Sequence, residues 1–141
     1  MSHLPRSQPT AMMAADVASA ALGIELLDAS PGRAVARMRL TDAMINGHGV
    51  AHGGYVFLLA DTAFACACNS HGPVTVAAGA DITFVRPGRS GDVLMAEASE
   101  RTRFGRNGVY DVTVFREVDG VREILAEFRG RSRSLADGQL L

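Results

Sequence analysis

The chain has 141 residues, 48% of them hydrophobic and 21% charged. At roughly 100–200 residues per domain this is one domain able to hold its own core, which excludes a disordered chain. With 14 basic against 15 acidic residues the net charge is −1, so the basic stripe and high pI of a nucleic-acid binder are missing.

Every basic residue is Arg, which also removes any Schiff-base lysine. Residues 1–9 are polar, contain Pro5 and Pro9, and are expected as a tail. Met13, Val17, Ala20 and Ile24 follow helical spacing. They predict an amphipathic helix from about Thr10 to Leu22, capped by Thr10 and stopped by Gly23. The start imitates a signal peptide, but Asp16 interrupts its apolar stretch. Ile24 to Ala29 reads as a short strand and Ser30-Pro31-Gly32 as a turn. Arg33 to Leu40 alternates, with Ala34, Ala36, Met38 and Leu40 on one face, and predicts a half-buried strand.

Residues 41–53 form a loop rich in Gly, Asn and His. Gly54 to Asn69 is apolar on nearly every face and too long for an ordinary strand, so it predicts a buried helix. It is too short and interrupted to span a bilayer, which needs about 20 apolar residues. Cys66 and Cys68 are two apart and form no CxxC pair. They are expected as buried, reduced thiols, which suits a cytoplasmic protein. His3, His48, His52 and His71 show no ligand spacing with them, so no metal site is expected. After His71-Gly72-Pro73 come four predicted strands, at about 74–85, 92–103, 108–118 and 121–134. Their short, turn-like separators imply antiparallel neighbours. The reading is α+β: a curved antiparallel sheet around a long central helix. The domain is expected over 10–134, with tails at 1–9 and 135–141.

The chemistry gathers between Asn46 and Thr62. Asp61 is the one charge in an otherwise apolar helix. A buried carboxylate must be paired, protonated or set at a polar cavity. Apolar surroundings raise its pKa, which suits a general base; as a plain core residue it would cap an element or form a core hydrogen bond. Gly53 and Gly54 sit where the helix begins, so its first amides are open to an oxyanion, or they simply give a flexible entry. Asn46 can orient a water or carbonyl, and His52 can donate from its backbone or ring; either can equally bond within its own loop. Gly53 and Asp61 are eight positions apart. On a helix that is about 12 Å along the axis and about 80° around it. One small carbonyl cannot touch both in one chain, so a shared substrate requires two chains, most simply a two-fold homodimer.

The motifs Asn46-Gly47-His48, His52-Gly53-Gly54 and Leu59-Ala60-Asp61-Thr62-Ala63-Phe64-Ala65, with Ala67-Cys68-Asn69-Ser70, resemble the hotdog-fold acyl-CoA thioesterases. Within these the likeness is to the PaaI-like phenylacetyl-CoA thioesterase type. Asp81 to Gly88, Gly108 to Asp111 and Phe128 to Ser132 fit as well. The resemblance implies dimers that join their sheets and pair into homotetramers. It implies Asp61 as general base or nucleophile, and Gly53, with Gly54, as oxyanion amides from the other chain. Asn46 would position water or substrate, and His52 would support the thioester end. Ala77 departs from members that carry a hydroxyl there, leaving Asn46 and Thr62 as substitutes. The substrate is acyl-CoA, preferably phenylacetyl-CoA or a ring-hydroxylated relative, and no cofactor is called for. Its phosphates suit guanidinium groups, with Arg86, Arg89, Arg103 and Arg106 as candidates. Tyr55, Phe57 and Phe64 are candidate acyl-pocket residues, with core packing as the competing role. Two other activities fit the motifs: a hotdog dehydratase or hydratase pairing His52 with Asp61, and a non-enzymatic acyl-CoA binding module.

Overall fold

The computed structural model describes residues 7–136. The expected tails therefore lie mostly outside the described residues. Where they are described, Pro9 already opens a helix, and the Leu135 N–H donates to the Val74 carbonyl at 2.8 Å.

The helix expected over 10–22 is two helices, α1 (Pro9–Ala15) and α2 (Val17–Ala21). Asp16 parts them in an extended conformation, φ −83° and ψ 90°. Its carboxylate accepts from the Ser19 N–H at 2.9 Å and the Ser19 hydroxyl at 2.6 Å. Asp side chains compete with the helical backbone in this way, which is why they favour caps over helix interiors. Thr10 caps nothing; Pro9 supplies the first turn instead, where its missing N–H costs no bond.

Strands β1 (Glu25–Ser30) and β2 (Arg33–Arg39) follow as a hairpin. A 3-10 turn, Asp42–Met44, leads into α3 (Gly53–Cys68). Then come β3 (Thr75–Phe84), β4 (Val93–Phe104), β5 (Asn107–Val118) and β6 (Val121–Ser134). The six strands form one antiparallel sheet in the order β1-β2-β4-β5-β6-β3. The β5–β6 hairpin closes on Asp119 and Gly120, at φ 52° and 77°. Two left-handed residues give the primed turn whose twist matches the flanking strands.

Period-2 alternation turns Ala34, Ala36 and Met38 of β2 inward with Leu94, Ala96 and Ala98 of β4. Tyr110, Val112 and Val114 of β5 and Phe128 of β6 complete the surface that meets α3. Gly130 lets β6 approach closely: a Cβ there would stand 2.8 Å from the Phe64 ring. Burial of α3 is not uniform, as an all-apolar helix would suggest. Gly54, Phe57, Leu58, Asp61 and Ala65 stay only partly covered. Their spacing of three and four puts them on one stripe, which the sheet of this chain covers only in part, the Phe57 ring meeting Phe128 of β6 edge-on at 5.3 Å.

Candidate active site

His52 ends the loop before α3 and caps it. Its Nδ1 accepts the Gly54 N–H at 3.0 Å, and its own N–H donates to the Met44 carbonyl at 2.8 Å. With Nδ1 accepting, the neutral ring carries its proton on Nε2. Two expectations change. The His52 backbone donor is taken, leaving only the ring Nε2. The Gly54 amide is taken too, so Gly54 is not an open oxyanion donor. Gly53 is different: its N–H has no acceptor among the described residues. It opens a cleft of about 430 Å³ lined by Val50, Val56, Phe84, Arg86 and Leu125 among others. The Phe84 ring covers it so closely that a Cβ on Gly53 would lie 2.8 Å away.

Asp61 lies two turns on, half-buried on the open stripe of α3. Its carboxylate has no hydrogen-bond partner among the described residues. Burial first, and then the charge of Asp16, raise its pKa above the ordinary 3.8. Thr62 faces the other way. It is buried, and its hydroxyl lies 2.9 Å from that of Ser19. That hydroxyl is therefore engaged with Ser19 rather than turned to the open stripe.

Asn46 keeps to its loop, its Oδ1 accepting from the His48 N–H at 2.9 Å and the Val50 N–H at 3.3 Å. This is an Asx turn that shapes the approach to α3; the Nδ2 group stays available. The four candidate arginines do not form one cluster. Arg86 and Arg89 belong to the β3–β4 connection at the Gly53 end, where Arg86 Nη1 donates to the Ile124 carbonyl at 2.7 Å. Arg103 and Arg106 sit on the β4–β5 hairpin beside Cys68, at the far end of a 16-residue helix about 24 Å long. Phe64 is core, tilted against Tyr110 and Phe128, whereas Phe57 is 36% exposed. Cys66 and Cys68 are buried free thiols that burial pushes up to about 12, which leaves them protonated and unreactive. Among the described residues no group of His, Cys, Asp or Glu is arranged to hold a metal.

Two residues of this region carried no functional reading in the sequence, Phe84 and Asp16. Phe84 reaches Gly53 only through the fold, so no local signal marks it. Asp16 did have one: Asp is among the residues preferred at a helix N-cap.

A six-stranded antiparallel sheet packed on one central helix is the architecture of the hotdog class of thioester enzymes. The thioesterase superfamily model matches residues 48–123. Over 135 residues the chain is 43% identical to the acyl-coenzyme A thioesterase PaaI of Escherichia coli, covering 96% of this chain and 94% of that one. The structure of the E. coli PaaI protein from the phenylacetic acid degradation operon superposes with a TM-score of 0.86, at 42% identity and 90% coverage of each chain. A mutant of the phenylacetic acid degradation protein PaaI from Thermus thermophilus superposes at 0.77, with 35% identity, covering 83% of this chain and 97% of that one. The chain belongs to the thioesterase superfamily, and it is a thioester hydrolase with the hotdog fold.

Proposed function

We propose that this enzyme hydrolyses phenylacetyl-CoA, or a ring-hydroxylated relative, to the free acid and coenzyme A in phenylacetate degradation. The observation that carries this reading is the half-buried carboxylate of Asp61 on the open stripe of α3, without a hydrogen-bond partner among the described residues. Such a group is a base in search of a proton, and water at a thioester carbonyl supplies one. The Gly53 amide at the positive end of α3 stabilises the oxyanion that forms. Because the two lie about 12 Å apart along one helix, each site takes Asp61 from one chain and Gly53 from its partner. Asn46 Nδ2 and His52 Nε2 complete the polar set around the thioester. Arg86 and Arg89, at the Gly53 end, meet the phosphates of coenzyme A.

Two exposed features support the dimer. Among the described residues the outer edge of β3 is unpaired, and this strand carries Val76 and Phe84, 36% and 53% exposed. The stripe of α3 beneath it is apolar apart from Asp61. An uncovered strand edge with apolar side chains is a pairing surface, and joining the sheets of two chains covers it. Pairing of dimers gives a homotetramer. The buried reduced thiols fit a cytoplasmic enzyme, and no helix among the described residues is long and apolar enough to cross a membrane. A dehydratase is disfavoured by His52, whose Nδ1 is held by the helix it caps.

The test is thiol release across aryl and alkyl acyl-CoAs. Phenylacetyl-CoA is expected to be turned over fastest, and Asp61→Ala to lose at least about 100-fold, the ordinary worth of a general base. Wild-type turnover by Asp61→Ala would end the assignment. Crotonyl-CoA hydrated without thiol release would favour the dehydratase. Single turnover in labelled water separates base from nucleophile, since label enters the Asp61 carboxylate only through an anhydride.

A further inference from the structure

We propose that Asp16 is a positioning residue for Asp61, a second carboxylate latched against the reactive turn of α3 so that its negative charge strengthens Asp61 as the base. The inference rests on the reading of Asp61 given above.

The latch is a chain of three side chains. Asp16 Oδ2 accepts from the Ser19 hydroxyl at 2.6 Å, and that hydroxyl lies 2.9 Å from Thr62 Oγ1. Ser19 and Thr62 are 1% and 6% exposed. Burying two hydroxyls is tolerable only because each satisfies the other. Thr62 follows Asp61 along α3, so the latch ends one residue from the reactive carboxylate, on the neighbouring face of the helix. The Asp16 charge also acts on Cys66, which lies one turn beyond Thr62 on the same helix face. The hydrogen-bonded chain sets Asp16 against this stretch of α3. The chain breaks a helix to put it there, since the interruption between α1 and α2 falls at Asp16.

A second carboxylate near the first opposes its ionisation. Burial and the Asp16 charge together raise the Asp61 pKa. Among the described residues little else offsets this. The strands packed on α3 turn apolar side chains inward, with Tyr110 of β5 the titratable exception, and its hydroxyl is bonded to Glu100 at 2.9 Å. On α3 itself the titratable neighbours are Cys66 and Cys68, both protonated near neutrality. Asp28 of β1 and Asp81 of β3 are exposed, the latter paired with Arg131 at 2.9 Å.

The experiment is the pH profile of kcat/KM for thiol release from phenylacetyl-CoA by the full chain. Asp16→Asn and Asp16→Ser each keep a capping side chain for α2 and remove the charge. Both are expected to move the acid limb to lower pH, because Asp61 then loses its proton more readily. Ser19→Ala retains the charge and is expected to leave the limb closer to wild type. If Asp16→Asn and Asp16→Ser lose activity equally at every pH with the limb unmoved, Asp16 is only a helix cap and the proposal is overturned. Superposition of their profiles on wild type overturns it as well. Asp61→Ala, run alongside, keeps the two readings apart: full activity there removes the assignment of Asp61 itself, whatever Asp16 does.

Discussion

Asp61 is a residue the chain would be more stable without. Its pKa is raised in the fold, so between the ordinary carboxylate pKa and the raised one the folded chain binds more protons than the unfolded chain. Stability therefore falls as pH rises through that window and stays lower at neutral pH. Asp61→Asn has no such titration. Its melting temperature is expected above wild type at pH 7, with the gap closing as pH drops towards the ordinary carboxylate range. A gap of constant size at all pH values would mean that packing, not charge, sets the difference. The burial that costs stability also makes the carboxylate a better base, a trade between stability and activity common in active sites. The half-burial of this residue is legible in the sequence, because it is the one charge in an apolar helix. The bond of its neighbour Thr62 is not legible there for a definite reason: its partner Ser19 is 43 positions away, and no local pattern encodes that contact.

At the scale of elements, the legible features were those with local causes. The alternation of β2 and the Asp119-Gly120 turn are written in neighbouring residues, and the strands formed as they direct. The split between α1 and α2 has only a weak local signal, an Asp suited to an N-cap, because helical periodicity runs on across the break. The start of α3 shows how one residue serves both element and site. His52 closes the first turn by accepting the Gly54 N–H, and in doing so leaves Gly53 as the open donor. His52→Ala is expected to cost about 1 kcal/mol of stability, the ordinary worth of an N-cap, read as a lower denaturation midpoint at unchanged m-value. His52→Asn is expected to recover most of that stability, since Asn caps well. If His52→Ala unfolds at the wild-type midpoint, the cap contributes nothing and the ring is free for another role.

At the scale of the molecule, the helix that organises the core also keeps the two halves of the chemistry apart. Gly53 and Asp61 cannot approach one another without unwinding α3, whose nine buried residues anchor it in the sheet. Sharing between chains makes a prediction that a single-chain site cannot imitate. Asp61→Ala removes the base. Gly53→Val forces a side chain into the Phe84 ring, where even a Cβ would stand at 2.8 Å, and blocks the open amide. Each variant alone is expected to be inactive. In a mixed dimer, one site combines both lesions and the other combines the intact Asp61 of one chain with the intact Gly53 of its partner. Random reassortment makes half the dimers mixed, each with one working site of two, so activity should return to about a quarter of wild type. Were each site built within one chain, every chain in the mixture would carry a lesion and nothing would return. Subunit exchange must be shown by the appearance of mixed species in native mass spectrometry. Mixed species without recovered activity would place both groups in one chain, and with them the need for α3 to break.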